Sequence, residues 1–141
     1  EQEQQLNNLG QELMPGRLTI KSVDYKNMPS VYKNADLFTF PTSPWESFGI
    51  AMLEAMASGL LVLSTQVGGL KLTVKDKITG ISIKNEKREE DYLEAMKKAL
   101  SMSEKDKKVI LENARKMVFE NYENDKMMKN FKEIIKKYLN N

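Results

Sequence analysis

The 141-residue chain contains neither cysteine nor histidine. Without cysteine there is no disulfide framework, no Cys/His zinc site and no thiol nucleophile. Without histidine there is no Ser-His-Asp triad and no imidazole acid or base. No apolar run is long enough for a membrane-spanning helix. An excess of one charge is also missing: 22 basic residues stand against 20 acidic ones, for a net charge of +2. The pI near 8.7 is too mild to argue for a nucleic-acid partner, and none is expected. Chemistry in this chain must therefore rest on carboxylates, lysines, hydroxyls or backbone amides.

What is present describes a globular domain. Hydrophobic residues make up 40% of the chain and charged residues 30%, the balance of a chain that folds around one core. Residues 1–8 are polar and do not resemble a signal peptide, so a cytoplasmic location is expected. The chain lacks an initiator methionine and opens on a helical pattern, as a fragment of a longer protein would.

Hydrophobic periodicity divides the chain into two regions. Leu6, Leu9 and Leu13 recur at helical spacing until Pro15-Gly16 stops them. Strands are expected at 17–23, 37–40, 60–64 and 81–83, with helical turns at 29–35 and a helix at 48–58 that Gly59 ends. Thr42 to Ser47 reads as a loop and Gly68-Gly69 as a tight turn. Beyond residue 86 three charged amphipathic helices are expected, at 89–102, 104–122 and 125–139. Their apolar stripes are read as Leu93, Met96 and Leu100, then Ile110, Ala114 and Met117, then Met127, Phe131, Ile134 and Tyr138. Strands that are apolar throughout and alternate with helices predict an α/β fold, a Rossmann-like parallel sheet with helices on both faces. Ligands in such sheets sit beyond the carboxyl ends of the strands.

Charge singles out one segment. From Leu37 to Leu70 the only charged residues are Glu46 and Glu54. Glu46 lies in the loop before the third helical segment. Glu54 lies inside that segment among Leu53, Ala55, Met56 and other apolar residues, where a carboxylate is costly unless hydrogen-bonded. A structural pairing with a lysine or a backbone amide and a functional role are both open at this point. Eight residues of helix rise about 12 Å, comparable to the span from ribose to sugar in a nucleoside-diphosphate sugar. A helix start between two such carboxylates offers amides and a positive dipole end to a phosphate, and Gly49 would let a ligand approach the backbone.

The run from Ser43 through Glu46, Phe48, Gly49, Ile50 and Glu54 to Gly59 resembles the paired-glutamate signature of group-one, glycogen-synthase-like retaining glycosyltransferases of the GT-B fold. Tyr32, Ala35 and Asp36 resemble the family's Tyr-x-x-Ala-Asp stretch, Thr65 to Gly69 its threonine-to-Gly-Gly loop, and Thr79-Gly80 its next turn. The resemblance implies that residues 1–141 are part of the C-terminal, nucleotide-sugar-binding domain of a GT-B enzyme. The N-terminal acceptor domain and the first strands would lie outside it.

The resemblance also implies a set of roles. Glu46 would be the catalytic-site carboxylate, on the hydroxyls of the donor sugar. The amides around Phe48, Gly49 and Ile50 would contact sugar or diphosphate. Glu54 would hold the ribose hydroxyls, and Gly68 and Gly69 would shape the loop beside them. The reaction would move a hexose from a nucleoside-diphosphate sugar to an acceptor (lipid, polysaccharide or protein glycan) with retention. Same-face attack and proton uptake by the leaving phosphate are the usual account, with no metal and no cofactor beyond the donor itself. The isolated chain would be inactive.

The sequence departs from the family pattern where Lys71 and Leu72 replace proline and glutamate, where Thr42 separates Pro41 from the motif serine, and where Leu60-Leu61 follows Gly59 without proline. Two other functions are compatible with the residues. One is a non-catalytic glycosyltransferase-like accessory subunit, which Leu72 would suit. The other is a phosphate-sensing α/β domain, which leaves the match around the two glutamates unexplained. Trp45 would stack on a sugar or pack under its loop. The Met127-Met128-Phe131 stripe reads first as core-facing, with an orphaned face toward a missing domain as the other reading. Lys105, Lys107 and Lys108 read as a solvated face, with peripheral contact to an anionic membrane as the other option.

Overall fold

A computed structural model describes residues 2–42, 48–84 and 88–139. Its centre is a parallel sheet of β1 (Leu37–Phe40), β2 (Leu61–Thr65) and β3 (Ile81–Ile83), side by side in that order. Leu37 is level with Leu61, and Leu63 with Ile81. Every residue of β2 is buried, which is why Leu61, Val62 and Leu63 follow one another without polar alternation. Its side chains nonetheless divide by face. Val62 packs with Met52, Met56, Leu70 and Val118 on one side, while Leu61 and Leu63 pack with Ile81, Ile83, Ala95 and Ile110 on the other. Helices cover both faces, as the apolar strands require.

The helices are α1 (Gln2–Leu13), α2 (Met28–Lys33), α3 (Ile50–Ala57), α4 (Leu70–Thr73), α5 (Glu89–Leu100), α6 (Glu104–Asn121) and α7 (Asn124–Leu139), with a 3-10 turn at Tyr25–Asn27 before α2. Helix α3 starts two residues later than periodicity suggests, because Gly49 caps it in the left-handed region at φ 70°. It ends as composition suggests. Gly59, at φ 84°, follows the last turn, the Leu60 amide donates to the Ala55 carbonyl and the Gly59 amide donates to the Met56 carbonyl. Those two bonds form a Schellman cap. Leu60 is spent in the cap, so β2 begins at Leu61.

Two further glycines are set by close packing. A Cβ on Gly80 would lie 2.9 Å from the Val62 carbonyl oxygen, so the turn before β3 can press against β2 only without a side chain. The Thr79 hydroxyl closes the same turn, donating to the Thr73 carbonyl at 2.6 Å and accepting from the Lys75 amide at 2.9 Å. Asp76 then joins the turn to β3 and α5, accepting from the Ser82 amide at 3.0 Å and from Lys98 Nζ at 2.8 Å. At the other end of the chain, Gly10 of α1 is buried against Leu18 with no room for a Cβ.

Three expectations are corrected, and one stretch left without an element forms a helix. Residues 17–23 do not form a strand: a strand exists only against a partner backbone, and the ladder among the described residues stops at β1. Residues 70–73, for which no element is expected, form α4. The buried side of α5 is Ala95 and Ala99 with half-buried Tyr92, whereas Leu93, Met96 and Leu100 are exposed. The small alanines let α5 lie close to the sheet, and size there outranks hydrophobicity. Helix α7 has no buried residue, and Met127, Phe131, Ile134 and Tyr138 are each more than half exposed, so its stripe is not core-facing within this chain. Among the described residues no helix is long and apolar enough to cross a membrane.

Candidate functional site

The carboxyl ends of β1 and β2 feed the two loops that carry the motifs. They are fastened together by Thr65, the last residue of β2. Its buried hydroxyl donates to the Thr42 carbonyl at 3.1 Å and accepts from the Thr42 amide at 3.4 Å. Thr42 is the residue immediately before 43–47, so β2 holds the root of the segment that contains Glu46. Ser43, Trp45 and Glu46 themselves lie outside the described residues.

Gly49 joins the loop after β1 to α3. It is buried, and a Cβ there would meet Leu70 Cδ2 at 2.7 Å and Phe40 Cε1 at 3.1 Å. Leu70 is fully buried and directly follows Gly68 (φ 49°) and Gly69, the cap of α4. The two loops therefore converge on the start of α3 through the Leu70 side chain. The first amides of a helix lack intrahelical acceptors and carry the positive end of its dipole. Phe48 packs edge-on against Tyr122 at 5.3 Å between ring centres. Among the described residues α3 begins at Ile50, and Ile50 to Glu54 rises about 6 Å.

Glu54 is half-buried on the outer face of α3 and accepts two hydrogen bonds. Tyr25 donates to Oε1 at 2.9 Å and Tyr32 donates to Oε2 at 3.0 Å. No ion pair to Glu54 is made among the described residues. The partner expected for a structural role was a lysine or a backbone amide, and two phenols stand there instead. Tyr32 was visible in the Tyr-x-x-Ala-Asp stretch, but nothing in the sequence linked it to Glu54. Tyr25, 29 residues away, gave no sequence signal at all.

Those bonds leave the carboxylate able to accept more. A carboxylate has about four acceptor positions, and the tyrosines use two. Glu54 borders a cavity of about 300 Å³ with Tyr25, Met28, Pro29 and Tyr32, and a second of about 450 Å³ with Phe48, Ile50, Leu53 and Tyr122. Phe48, Ile50 and Glu54 are thus brought to one groove. Gly68 and Gly69 do not border it and lie on the far side of Gly49. Among the described residues no group of three carboxylates is placed to hold a metal ion.

Both tyrosines keep their protons well above neutral pH. Burial first, then the bond to Glu54 and its negative charge, push Tyr32 from 10.0 to about 12. The bond to Glu54, then its charge, then slight burial raise Tyr25. The phenols therefore donate throughout the physiological range. A folded pKa above the unfolded one stabilises the fold below pH 10 and ceases to do so as pH rises through the folded value. Stability measured by urea unfolding should decline between pH 10 and about 12, and Tyr32→Phe should flatten part of that decline. An identical decline in Tyr32→Phe would show that Tyr32 contributes none of it.

Residues 1–117 match the family model described as glycosyl transferases group 1. The lipopolysaccharide 1,2-N-acetylglucosaminetransferase of Salmonella typhimurium is 31% identical over 111 residues, covering 79% of this chain and 29% of that protein. Among solved structures, a glycosyltransferase from Rickettsia africae superposes with a TM-score of 0.82 at 25% identity, covering 99% of this chain and 37% of the other. The Anabaena protein HepE in complex with UDP superposes with a TM-score of 0.81 at 19% identity, covering 96% of this chain and 36% of the other. The chain spans about a third of the length of these proteins or less.

Proposed function

The chain belongs to the group 1 glycosyl transferases, and on that premise we propose that the complete protein moves a hexose from a nucleoside-diphosphate sugar to an acceptor with retention of configuration. This chain is part of the C-terminal domain and supplies part of the donor site. The N-terminal acceptor domain completes the cleft, so residues 1–141 alone do not turn over.

The observation that carries this reading is Glu54. It is a carboxylate on an apolar helix, held by two neutral hydroxyls and by no cation among the described residues, with acceptor positions to spare beside a cavity. A structural carboxylate is expected to be paired off by a lysine or by backbone amides. One left with spare lone pairs beside space suits the vicinal hydroxyls of a ribose. The start of α3, one turn away, supplies amides toward the diphosphate, and Glu46 meets the hydroxyls of the donor sugar. Gly68 and Gly69 act by placing Leu70 against Gly49, which fixes where those amides point. The nucleotide seen with HepE supports a nucleoside diphosphate as occupant. The physical need is to stabilise an oxocarbenium-like sugar and a departing diphosphate, and oriented amides can do so without imidazole.

Calorimetric titration of the complete protein with nucleotide sugars of different base and sugar tests the donor. One of them should bind well ahead of the others, and binding of none would sink the reading. Proton NMR of the product tests the stereochemistry, with the donor's anomeric configuration expected in the product and its inversion counting against retention. Measurable turnover by residues 1–141 alone would overturn the assignment of the missing half.

A further inference from the structure

The two tyrosines on Glu54 differ in a way that their distances conceal. Tyr32 is 4% exposed, whereas Tyr25 is 78% exposed. The Tyr32 ring is locked in the core, edge-on to Phe38 with ring centres 6.0 Å apart. It sits on α2, whose start Pro29 fixes. Tyr25 opens a three-residue 3-10 turn with no buried residue, and its side chain is tied by the bond from its hydroxyl to Glu54.

We propose that Tyr32 is the positioning residue that holds Oε2 and aims Glu54, while Tyr25 is an exchangeable cover on Oε1 that the ribose hydroxyls of the donor displace. The inference rests on the reading of Glu54 as the ribose acceptor and adds how the carboxylate is presented and kept covered. The physical case is one of order and exposure. A buried ring in a packed core cannot leave without opening a void. An exposed phenol gives up a hydrogen bond that water or a ligand hydroxyl replaces at little cost. Tyr25, like Glu54 and Ala57, borders both of the cavities beside Glu54, so its departure would widen the space that a ligand reaches there. The cover satisfies Glu54 when no donor is present, and the displaced side chain remains beside the ligand.

The test is the preference for ribose over deoxyribose, read by calorimetry on the complete protein. UDP, ADP and GDP are each compared with their 2′-deoxy forms, and the best-bound pair is followed through the variants. Wild type should prefer the ribonucleotide, and Glu54→Ala should erase the preference. Tyr32→Phe keeps the packed ring and should cut the preference about tenfold, the size of one hydrogen bond to a charged group. Tyr25→Phe removes the competitor and should tighten the ribonucleotide by about threefold, the size of one exposed hydrogen bond.

A merely structural Tyr32 would weaken both nucleotides together and leave their ratio intact, and that result overturns the proposal. So does a Tyr25→Phe variant that weakens the ribonucleotide as much as Tyr32→Phe. The underlying reading fails separately, if wild type shows no ribose preference or if Glu54→Ala retains it.

Discussion

Glu46→Ala in the complete protein is expected to lower kcat by about 10²–10³, the usual cost of removing one oriented polar group from a transition-state site, while nucleotide binding is nearly unchanged. The split follows from where the two glutamates act. Glu54 is the proposed ribose acceptor, so its loss should weaken the binding of donor and of free nucleoside diphosphate alike, a uniform effect on ground and transition states. Glu46, eight residues earlier in sequence, is the residue proposed to meet the hydroxyls of the donor sugar. Such a contact would gain strength only as the ring flattens and positive charge develops. Steady-state kinetics with calorimetry of the free nucleotide separates the two effects. A complete protein that shows no transfer, and whose function Glu46→Ala leaves unchanged, would favour a non-catalytic accessory protein, for which Leu72 in place of glutamate is the sequence argument. Leu72 is 69% exposed, so that departure alters a surface and leaves the packing between α3 and α4 intact.

How far the site could be read from sequence depended on the range of each interaction. Local signals were legible. The Gly59 cap, the strands β1 and β3, and the start and end of α6 and α7 within two residues follow from capping chemistry and periodicity, which act over a single turn. Glu54 also stood out, because a lone carboxylate in an apolar helix violates the pattern around it. What could not be read was anything set by a distant surface. The partners of Glu54 are 22 and 29 residues away, and a phenol has no sequence spacing that announces it. The phase of α5 was misread because two alanines make the contact and larger apolar residues point outward. The α7 stripe has no cover within the chain, so its periodicity correctly predicts an amphipathic helix and says nothing about what lies against it. Residues 17–23 alternate as a strand would, but pairing needs a neighbour that the described residues do not supply.

Gly49→Ala is expected to be the most disruptive of the small substitutions, and Gly59→Ala shows why. Both glycines hold a left-handed backbone, at φ 70° and 84°. At Gly59 an added Cβ meets nothing within 4 Å, so its cost is the left-handed conformation alone, about 1–2 kcal/mol. At Gly49 the same strain applies, and the Cβ would also press on Leu70 at 2.7 Å and on Phe40 at 3.1 Å. Overpacking of that kind adds about 1–3 kcal/mol, so the total is about 2–5 kcal/mol. Urea unfolding of the two variants measures the difference directly, and equal losses would refute the packing contribution. The two should differ in function as well as in stability. Relief at Gly49 can come only by shifting the end of β1, the Leu70 side chain or the first turn of α3, and each of these sets the direction of the amides proposed to face the diphosphate. Gly59 lies at the far end of α3, where movement leaves those amides in place. Nucleoside diphosphate should therefore bind more weakly to Gly49→Ala even at temperatures where the variant is fully folded. Gly59→Ala should bind it as wild type does.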